Sequence, residues 1–192
     1  MDLLTDTKMI TVVKDKPERG LTFITKDIPK DLTEFEVLIK VNYASVCGTD
    51  YHIYSYDDWA KKRLKLPFTA GHEFSGEIVK IGKSVERVKL GDIVSAETHI
   101  VCGTCEFCLR GEAHICENTK IIGVDTDGCF AEYVKIPAMN CFVNSKDANP
   151  LWRWETTIKA KEPNKRSLLV DIPLIAQSSF ITGIRLSEKP IK

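Results

Sequence analysis

The feature that most constrains this chain is a group of four closely spaced cysteines. Cys102, Cys105, Cys108 and Cys116 follow the pattern Cys-x2-Cys-x2-Cys-x7-Cys within residues 97–117. A two-residue gap lets one tight turn aim consecutive thiolates at a common point, and the longer excursion returns the fourth. Four thiolates complete a tetrahedron around Zn2+ and leave no position for a substrate. The spacing therefore predicts a structural zinc site.

Disulfide bonds and an iron–sulfur cluster are the alternatives for these cysteines. The N-terminus lacks the apolar core of a secretory signal, and thiols two residues apart are crowded for a structural disulfide. The cluster alternative stays open, although the stretch lacks the Cys-Pro ending of bacterial ferredoxin motifs. Zinc is the interpretation that the spacing favours.

Composition narrows the classes of partner. Among 192 residues, 27 Lys and Arg balance 27 Asp and Glu, so no basic face is indicated for nucleic acid or anionic membrane. No apolar run approaches the ~20 residues of a membrane-spanning helix. We expect a cytoplasmic protein with no nucleic-acid or membrane partner. Self-association into a homo-oligomer stays open.

The pattern of apolar residues predicts mainly β-structure. Residues 9–13 and 21–24 are β-favouring runs around a turn-rich connector, which predicts a hairpin. Residues 36–46 alternate with period two, which predicts a strand with one buried face. The residues of that face are Val37, Ile39, Val41 and Tyr43.

The rest of the first 143 residues alternates short strands with turns. A short helix is predicted over 57–62, and strands are predicted over 77–81 and 93–96. Residues 121–136 predict a hairpin that turns at Asp127-Gly128. The fold class is therefore mainly β with short helices, arranged as a β-barrel-like domain.

A second group of chemically useful side chains lies before the cysteine stretch. Cys47 and His52 stand in Cys-Gly-Thr-Asp-Tyr-His, and His72 and Glu73 are flanked by Gly71. Taken singly, such a cysteine is usually a small core residue and such a histidine a hydrogen-bonding one. Together, a thiol, an imidazole and a carboxylate from two separate loops supply three ligands and one open position, the pattern of a catalytic zinc.

In their order along the chain, these motifs resemble those of the zinc-dependent medium-chain alcohol dehydrogenases. The resemblance covers about residues 9–148 and rests on Cys47-Gly-Thr-Asp, Gly71-His-Glu, the four cysteines and the segment 127–133. Within that family, residues 97–103 and 118–128 are most similar to the L-threonine 3-dehydrogenases.

The resemblance implies a fold and an activity. Residues 1–150 would form a GroES-like partial β-barrel catalytic domain, incomplete here, to which a Rossmann domain that binds NAD is normally attached. The implied reaction is zinc-dependent oxidation of a secondary alcohol, most specifically L-threonine to 2-amino-3-oxobutanoate, with NAD as the acceptor of hydride.

The resemblance also assigns roles to residues of this chain. Cys47 and His72 would bind the catalytic zinc, with Glu73 either a ligand or exchanging with water. Asp50 would accept a hydrogen bond from the ring of His72 and fix which nitrogen faces the metal.

Three further residues are implied to serve the substrate. Thr49 and His52 would pass the proton of the substrate hydroxyl to solvent, and His99 would lie near the substrate. For His52 the alternative is an exposed loop histidine. For His99 the alternative is a structural hydrogen bond at the entrance of the cysteine lobe.

Residues 151–192 form a tail without family resemblance. The chain contains no Gly-x-Gly-x-x-Gly motif, so no NAD-binding site and no Rossmann domain are expected in it. Glu155 falls near the position of a missing zinc ligand, but in an unrelated context. We expect an interrupted reading frame and a truncated chain that is inactive alone. The alternative is a non-enzymatic zinc-binding module or a partner-binding fragment.

Overall fold

The computed structural model describes residues 7–144 and the backbone of 182–185. Glu155 lies outside the described residues, and the backbone of Thr182–Arg185 is the part of the predicted tail that the structure describes. The strands are β1 Lys8–Lys14, β2 Thr22–Asp27, β3 Glu36–Val46, β4 Phe68–Thr69, β5 Glu73–Ile81, β6 Ile93–Ala96, β7 His99–Ile100, β8 Lys120–Ile121, β9 Tyr133–Pro137, β10 Cys141–Val143 and β11 Thr182–Arg185. The helices are α1 Gly48–Ser55, α2 Asp58–Arg63 and α3 Glu106–Leu109, with 3-10 turns at Ala113–Ile115 and Ala138–Asn140.

Antiparallel pairing arranges these strands into three sheets. A three-stranded sheet has the order β2-β1-β4, and a larger one has the order β10-β6-β5-β3-β11, with β9 also paired to β3. Strands β7 and β8 form a small separate sheet. The predicted fold class, mainly β with short helices, is confirmed. Within the described residues, no helix is long and apolar enough to cross a membrane.

Several predicted elements are confirmed with small changes of boundary. The N-terminal hairpin is β1 and β2, in register from Lys8 opposite Asp27 to Val13 opposite Thr22. The strand predicted over 36–46 is β3. The predicted short helix is α2, and Asp57 caps it by accepting a hydrogen bond from the backbone N–H of Ala60.

Parts of strand β3 are buried on both faces, not on the single face predicted from its alternation, although Lys40 is exposed and Tyr43 only half-buried. Val37, Ile39 and Val41 belong to the main core, whereas Leu38 packs in a second cluster on the opposite face. That second cluster is completed by Met9, Ile28, Ala131 and Tyr133. Alternation reveals one apolar face, but it does not reveal that other segments cover the reverse face of a central strand.

The hairpin predicted over 121–136 is wrong. The backbone N–H groups of Gly128, Cys129 and Phe130 donate to the carbonyls of Thr69, Gly71 and Ala70, so this segment pairs beside β4. Strand β9 then continues onto β3 instead of returning to residues 121–124. The Asp127-Gly128 pair does not form the predicted hairpin turn. A carboxylate oxygen of Asp127 instead accepts a hydrogen bond from the backbone N–H of Thr69 at 2.7 Å.

Three glycines permit the close backbone approach at this point. Gly71 has φ +90°, and a Cβ there would lie 2.3 Å from the ring of Phe130. A Cβ on Gly123 or Gly128 would lie 2.1 or 2.0 Å from the carbonyl oxygen of Gly71. Such separations are far inside van der Waals contact, so only glycine fits at these three positions.

Gly71→Ala tests this packing. We expect it to lower the free energy of unfolding by about 3 kcal/mol or more, because a left-handed backbone conformation and a steric clash act together. The matched control is Gly91→Ala, where φ is +83° and no atom lies within 4 Å of the added Cβ. Gly91→Ala should lower the free energy of unfolding by only about 1–2 kcal/mol, because it adds the unfavourable backbone conformation without a steric clash. Denaturant titration measures both, and equal losses would contradict the close packing.

Candidate metal centres

Cys47 lies in the connection between β3 and α1, where it is the N-cap residue of that helix. Its side chain accepts a hydrogen bond from the backbone N–H of Thr49, and the carboxylate of Asp50 accepts the backbone N–H of Cys47 at 2.9 Å. This reciprocal arrangement is a capping box, in which Cys replaces the usual Ser or Thr. The cap sets the direction in which the thiol leaves the helix.

His72 reaches the same point from another part of the fold. It follows β4 through Gly71 and immediately precedes β5, and only 8% of its surface is exposed. Its Nε2 lies 2.9 Å from the Sγ of Cys47, and its Nδ1 lies 3.7 Å from an Oδ1 of Asp50. The ligand atoms of Cys47, Asp50 and His72 lie within 4.8 Å of one another.

Two buried polar atoms in this group lack hydrogen-bond partners among the described residues. They are Oδ1 of Asp50 and Nδ1 of His72. Buried polar groups are rarely left unsatisfied, and exceptions cluster where an ion or a catalytic group acts. A cation held by Cys47 and His72 would polarise the imidazole toward Asp50. The donor set and these two atoms therefore fit a zinc ion.

The charges of the group act on one another strongly. Burial alone would lower the pKa of His72, but the hydrogen bond to Cys47 and the charges of Asp50, Cys47 and Glu73 raise that pKa to about 9. Burial raises the pKa of the Asp50 carboxyl, against the opposing charge of His72. The proton thus stays on His72 at neutral pH when no metal competes for Nε2.

Glu73 is turned toward a different partner. Its Oε2 accepts a hydrogen bond from the hydroxyl of Ser45 at 2.7 Å, across the register pair that joins β3 to β5. It is not in the group formed by Cys47, Asp50 and His72. Of the two carboxylates, Asp50 is therefore the one grouped with the thiol and the imidazole, and ligation by Glu73 stays a prediction.

The four cysteines of the lobe also converge. All four Sγ atoms lie within 4.8 Å of one another, with separations of 3.5 Å between Cys102 and Cys116, 3.9 Å between Cys105 and Cys116, and 4.0 Å between Cys102 and Cys108. A Zn–S bond of about 2.3 Å gives sulfur separations of about 3.8 Å in a tetrahedron. The thiols are therefore arranged as a four-cysteine zinc site requires.

Ionisation within this group is uneven. Backbone N–H groups of Thr104 and Cys105 lower the pKa of Cys102 to about 5. Loss of hydration and hydrogen bonds to neighbouring thiols raise the pKa of Cys108 to about 12. A divalent cation removes the repulsion that opposes a full set of thiolates.

His52 lies on the exposed side of α1. Its Nδ1 lies 2.5 Å from a carboxylate oxygen of Asp57, and its ring lies 5.9 Å from that of Trp59. Thr49 stands three residues earlier on the same helix, so the two side chains share a face. Sequence reasoning missed Asp57 as the partner of His52, although its position before α2 signals a capping residue.

His99 begins β7 and is also exposed. Its Nδ1 lies 2.6 Å from an Oε1 of Glu97, and the hydrogen bonds from the His99 side chain and backbone lower the pKa of that carboxyl. The buried side chain of Asn140 donates to the carbonyls of both Glu97 and His99. Neither His52 nor His99 belongs to the group around Cys47. Asn140, which holds the His99 segment, carried no signal in the sequence.

The ionisation of His72 predicts how metal affinity depends on pH. Its folded pKa of about 9 exceeds the ordinary 6.5, so protonation stabilises the metal-free fold below about pH 6.5, and this contribution is lost as pH rises through about 9. A metal must displace that proton from Nε2. Affinity at the Cys47 and His72 site should therefore rise about tenfold per pH unit between pH 7 and 9. Chelator competition measures it, and an affinity independent of pH would be inconsistent with a protonated His72.

Comparison with known proteins identifies relatives of this chain. The alcohol dehydrogenase GroES-like domain family matches residues 33–146. L-threonine 3-dehydrogenase of Caldanaerobacter subterraneus subsp. tengcongensis is 57% identical over 142 residues, which are 74% of this chain and 41% of that protein. L-threonine 3-dehydrogenase of Pyrococcus furiosus is 46% identical over 176 residues, which are 92% of this chain and 49% of that protein.

Solved structures show the same fold. A short-chain alcohol dehydrogenase from Escherichia coli CFT073, in complex with NADH, has a TM-score of 0.66 at 32% identity over 74% of this chain and 40% of its own. A cobalt- and zinc-bound thermostable alcohol dehydrogenase from Pyrobaculum aerophilum has a TM-score of 0.62 at 32% identity, covering 73% and 42%. The chain spans less than half the length of these relatives. The family match covers more than half of the chain, and the strands and the cysteine and histidine motifs agree with it. The chain therefore belongs to the alcohol dehydrogenase GroES-like domain family.

Proposed function

We propose that this chain supplies the metal-binding catalytic domain for oxidation of a secondary alcohol, with L-threonine as substrate and 2-amino-3-oxobutanoate as product. The observation that carries the proposal is the approach of Cys47 Sγ to His72 Nε2 at 2.9 Å, beside a buried Asp50 oxygen that lacks a hydrogen-bond partner among the described residues. The names of the curated relatives support threonine as the substrate.

Each residue of the group has a distinct task in this proposal. Cys47 and His72 hold zinc, which when bound supplies a Lewis acid for the substrate hydroxyl. Asp50 faces Nδ1 of His72 at 3.7 Å, beyond hydrogen-bond distance, and with a metal on Nε2 it would accept the N–H of Nδ1 and fix the ring. Glu73 serves as a further ligand or yields its position to water.

The proton of the substrate hydroxyl leaves along α1. Thr49 relays it, and His52, which is exposed, delivers it to solvent while Asp57 holds the Nδ1 of its ring. A hydroxyl and an imidazole suit these tasks because one can both accept and donate and the other titrates near neutral pH. NAD, for which no binding site is expected in this chain, would accept the hydride.

His99 and Glu97 lie where the small β7–β8 sheet joins the lobe. An amino-acid substrate carries a carboxylate and an ammonium group in addition to its hydroxyl. An imidazole can bind the carboxylate of the substrate by charge or by a hydrogen bond, and an adjacent carboxylate can bind its ammonium group. We therefore assign His99 to substrate recognition rather than to proton transfer.

A non-enzymatic zinc-binding or partner-binding module is the second candidate. It is favoured by the sequence, which contains no Gly-x-Gly-x-x-Gly motif for a nucleotide. The intact Cys47, Thr49, His52 and His72 favour the enzymatic role. NAD-dependent threonine oxidation by the chain alone, at a rate typical of enzymes, would refute our expectation that it is inactive alone.

Metal content distinguishes the two candidates. We expect two zinc ions per chain, falling to one in Cys47→Ser, because each site needs its thiolate. Cys141→Ser is the matched control, since that buried cysteine lies in the core and outside both groups of ligands. Elemental analysis of the purified chain measures the content. A single zinc in the parent chain, unchanged by Cys47→Ser, would support the structural module instead.

Threonine binding tests the substrate. With Co2+ at the Cys47 and His72 site, L-threonine should perturb the visible absorption of the metal, and His99→Ala should weaken this effect about tenfold, the loss of one charged hydrogen bond. His114→Ala is the matched control, because that exposed histidine stands inside the lobe. Equal responses to L-threonine in all three proteins would exclude the role assigned to His99.

A further inference from the structure

Lys14, the last residue of β1, is buried although it carries a charge. Only 1% of its surface is exposed. Its Nζ donates to the carbonyl oxygens of Glu18, Gly20 and Tyr54, the last two at 2.9 and 3.5 Å. The same ammonium lies 5.0 Å from the centroid of the Tyr56 ring. Its hydrogen-bond acceptors are thus backbone carbonyls, with an aromatic face beside them.

This burial is not explained by packing alone. Burial lowers the pKa of Lys14, which shows that the charged form loses hydration there. Burying an ammonium group costs free energy unless the group is paired and hydrogen-bonded. The carbonyls of Glu18 and Gly20 lie in a turn that solvent reaches, and the Tyr54 carbonyl also accepts the backbone N–H of Gly20 at 2.8 Å.

Lys14 lies between the two segments that carry Cys47 and His72. Its backbone is in register with Phe68 of β4, four residues before His72. Its side chain donates to the carbonyl of Tyr54 near the C-terminal end of α1, and Cys47 is the N-cap residue of the same helix. It therefore connects the two elements on which the separation of thiol and imidazole depends.

The end of α1 needs such a contact. The helix stops at Tyr56, which has the left-handed φ of +52° that non-glycine residues rarely adopt. The helix is about 12 Å long, so a tilt of about 5° at this end moves Cys47 by about 1 Å. Metal ligands tolerate deviations of only about 0.2 Å.

We propose that Lys14 is a positioning residue for the Cys47 and His72 metal centre, acting by fixing the C-terminal end of α1 against β1. The inference rests on the proposed function, because it requires that Cys47 and His72 bind a metal. Lys14 touches neither the metal ligands nor the substrate.

The test compares Co2+ affinity at the two sites of the full chain. Lys14→Met should weaken binding at the Cys47 and His72 site about tenfold, the lower range for residues that orient ligands, and leave the four-cysteine site unchanged. Lys14→Gln keeps an N–H donor, so it should weaken Co2+ binding at the Cys47 and His72 site less than Lys14→Met does. Lys8→Met is the matched control, because Lys8 lies at the exposed start of the same strand and pairs with Asp27.

Each outcome decides the proposal. Equal affinity in the parent chain and both Lys14 variants overturns it. A parallel loss at both sites, or in Lys8→Met, indicates general destabilisation and also overturns it. Should Lys14→Met not fold, Lys14→Gln provides the comparison, and amide hydrogen exchange of Tyr56, whose N–H bonds to His52, must accelerate in step with the lost affinity. Absence of a second metal in the parent chain would refute the proposed function itself, which separates that failure from the others.

Discussion

The position of His72 depends on the packing of three backbone segments around the carbonyl group of Gly71. The backbone N–H of Cys129 donates to that carbonyl at 2.9 Å, and Gly123 and Gly128 approach it more closely than any side chain would permit. These contacts fix the backbone beside His72, and the ring itself lies against Cys47 and Asp50. A proposed metal ligand whose backbone is fixed in this way has less conformational entropy to lose on binding.

Cys47 is fixed by a different principle. Its thiol and Asp50 form a helix cap, so the hydrogen bonds that begin α1 also orient the proposed metal ligand. Asp50 serves twice, because one of its oxygens caps the helix while the other faces His72. This explains how a buried carboxylate is retained despite a raised pKa: part of its desolvation cost is offset by the cap and by the charge of the histidine.

Sequence predicted the parts of the molecule that obey local rules. The spacing of Cys102 to Cys116 predicted a convergent group because short turns bring close neighbours together, and the four thiols do converge. Alternation located β3 to the residue. The resemblance named Cys47 and His72, and the structure brings them together.

The predictions that failed depended on contacts between residues far apart in the sequence. The hairpin over 121–136 was wrong because the segment pairs with β4 instead, and no local signal encodes a partner about sixty residues away. Asn140 and Ser45 were missed because a single buried polar residue has no periodicity.

The two metal groups also differ in how the fold supports them, and the difference follows from their chemistry. The four cysteines occupy a short lobe with one buried member, held by local turns and by α3, so that site depends little on the sheets. Cys47 and His72 come from a helix and from a strand junction, twenty-five residues apart, and meet only if β1, β3, β4 and α1 are correctly packed.

A closed structural site can be encoded by one short segment, because its ligands have only to meet one another. A site with an open position cannot, because the fold itself must supply the walls, the proton path and the exact separation of the ligands. The buried ammonium of Lys14 lies where those separate elements join, which is why a charge far from the chemistry can control it.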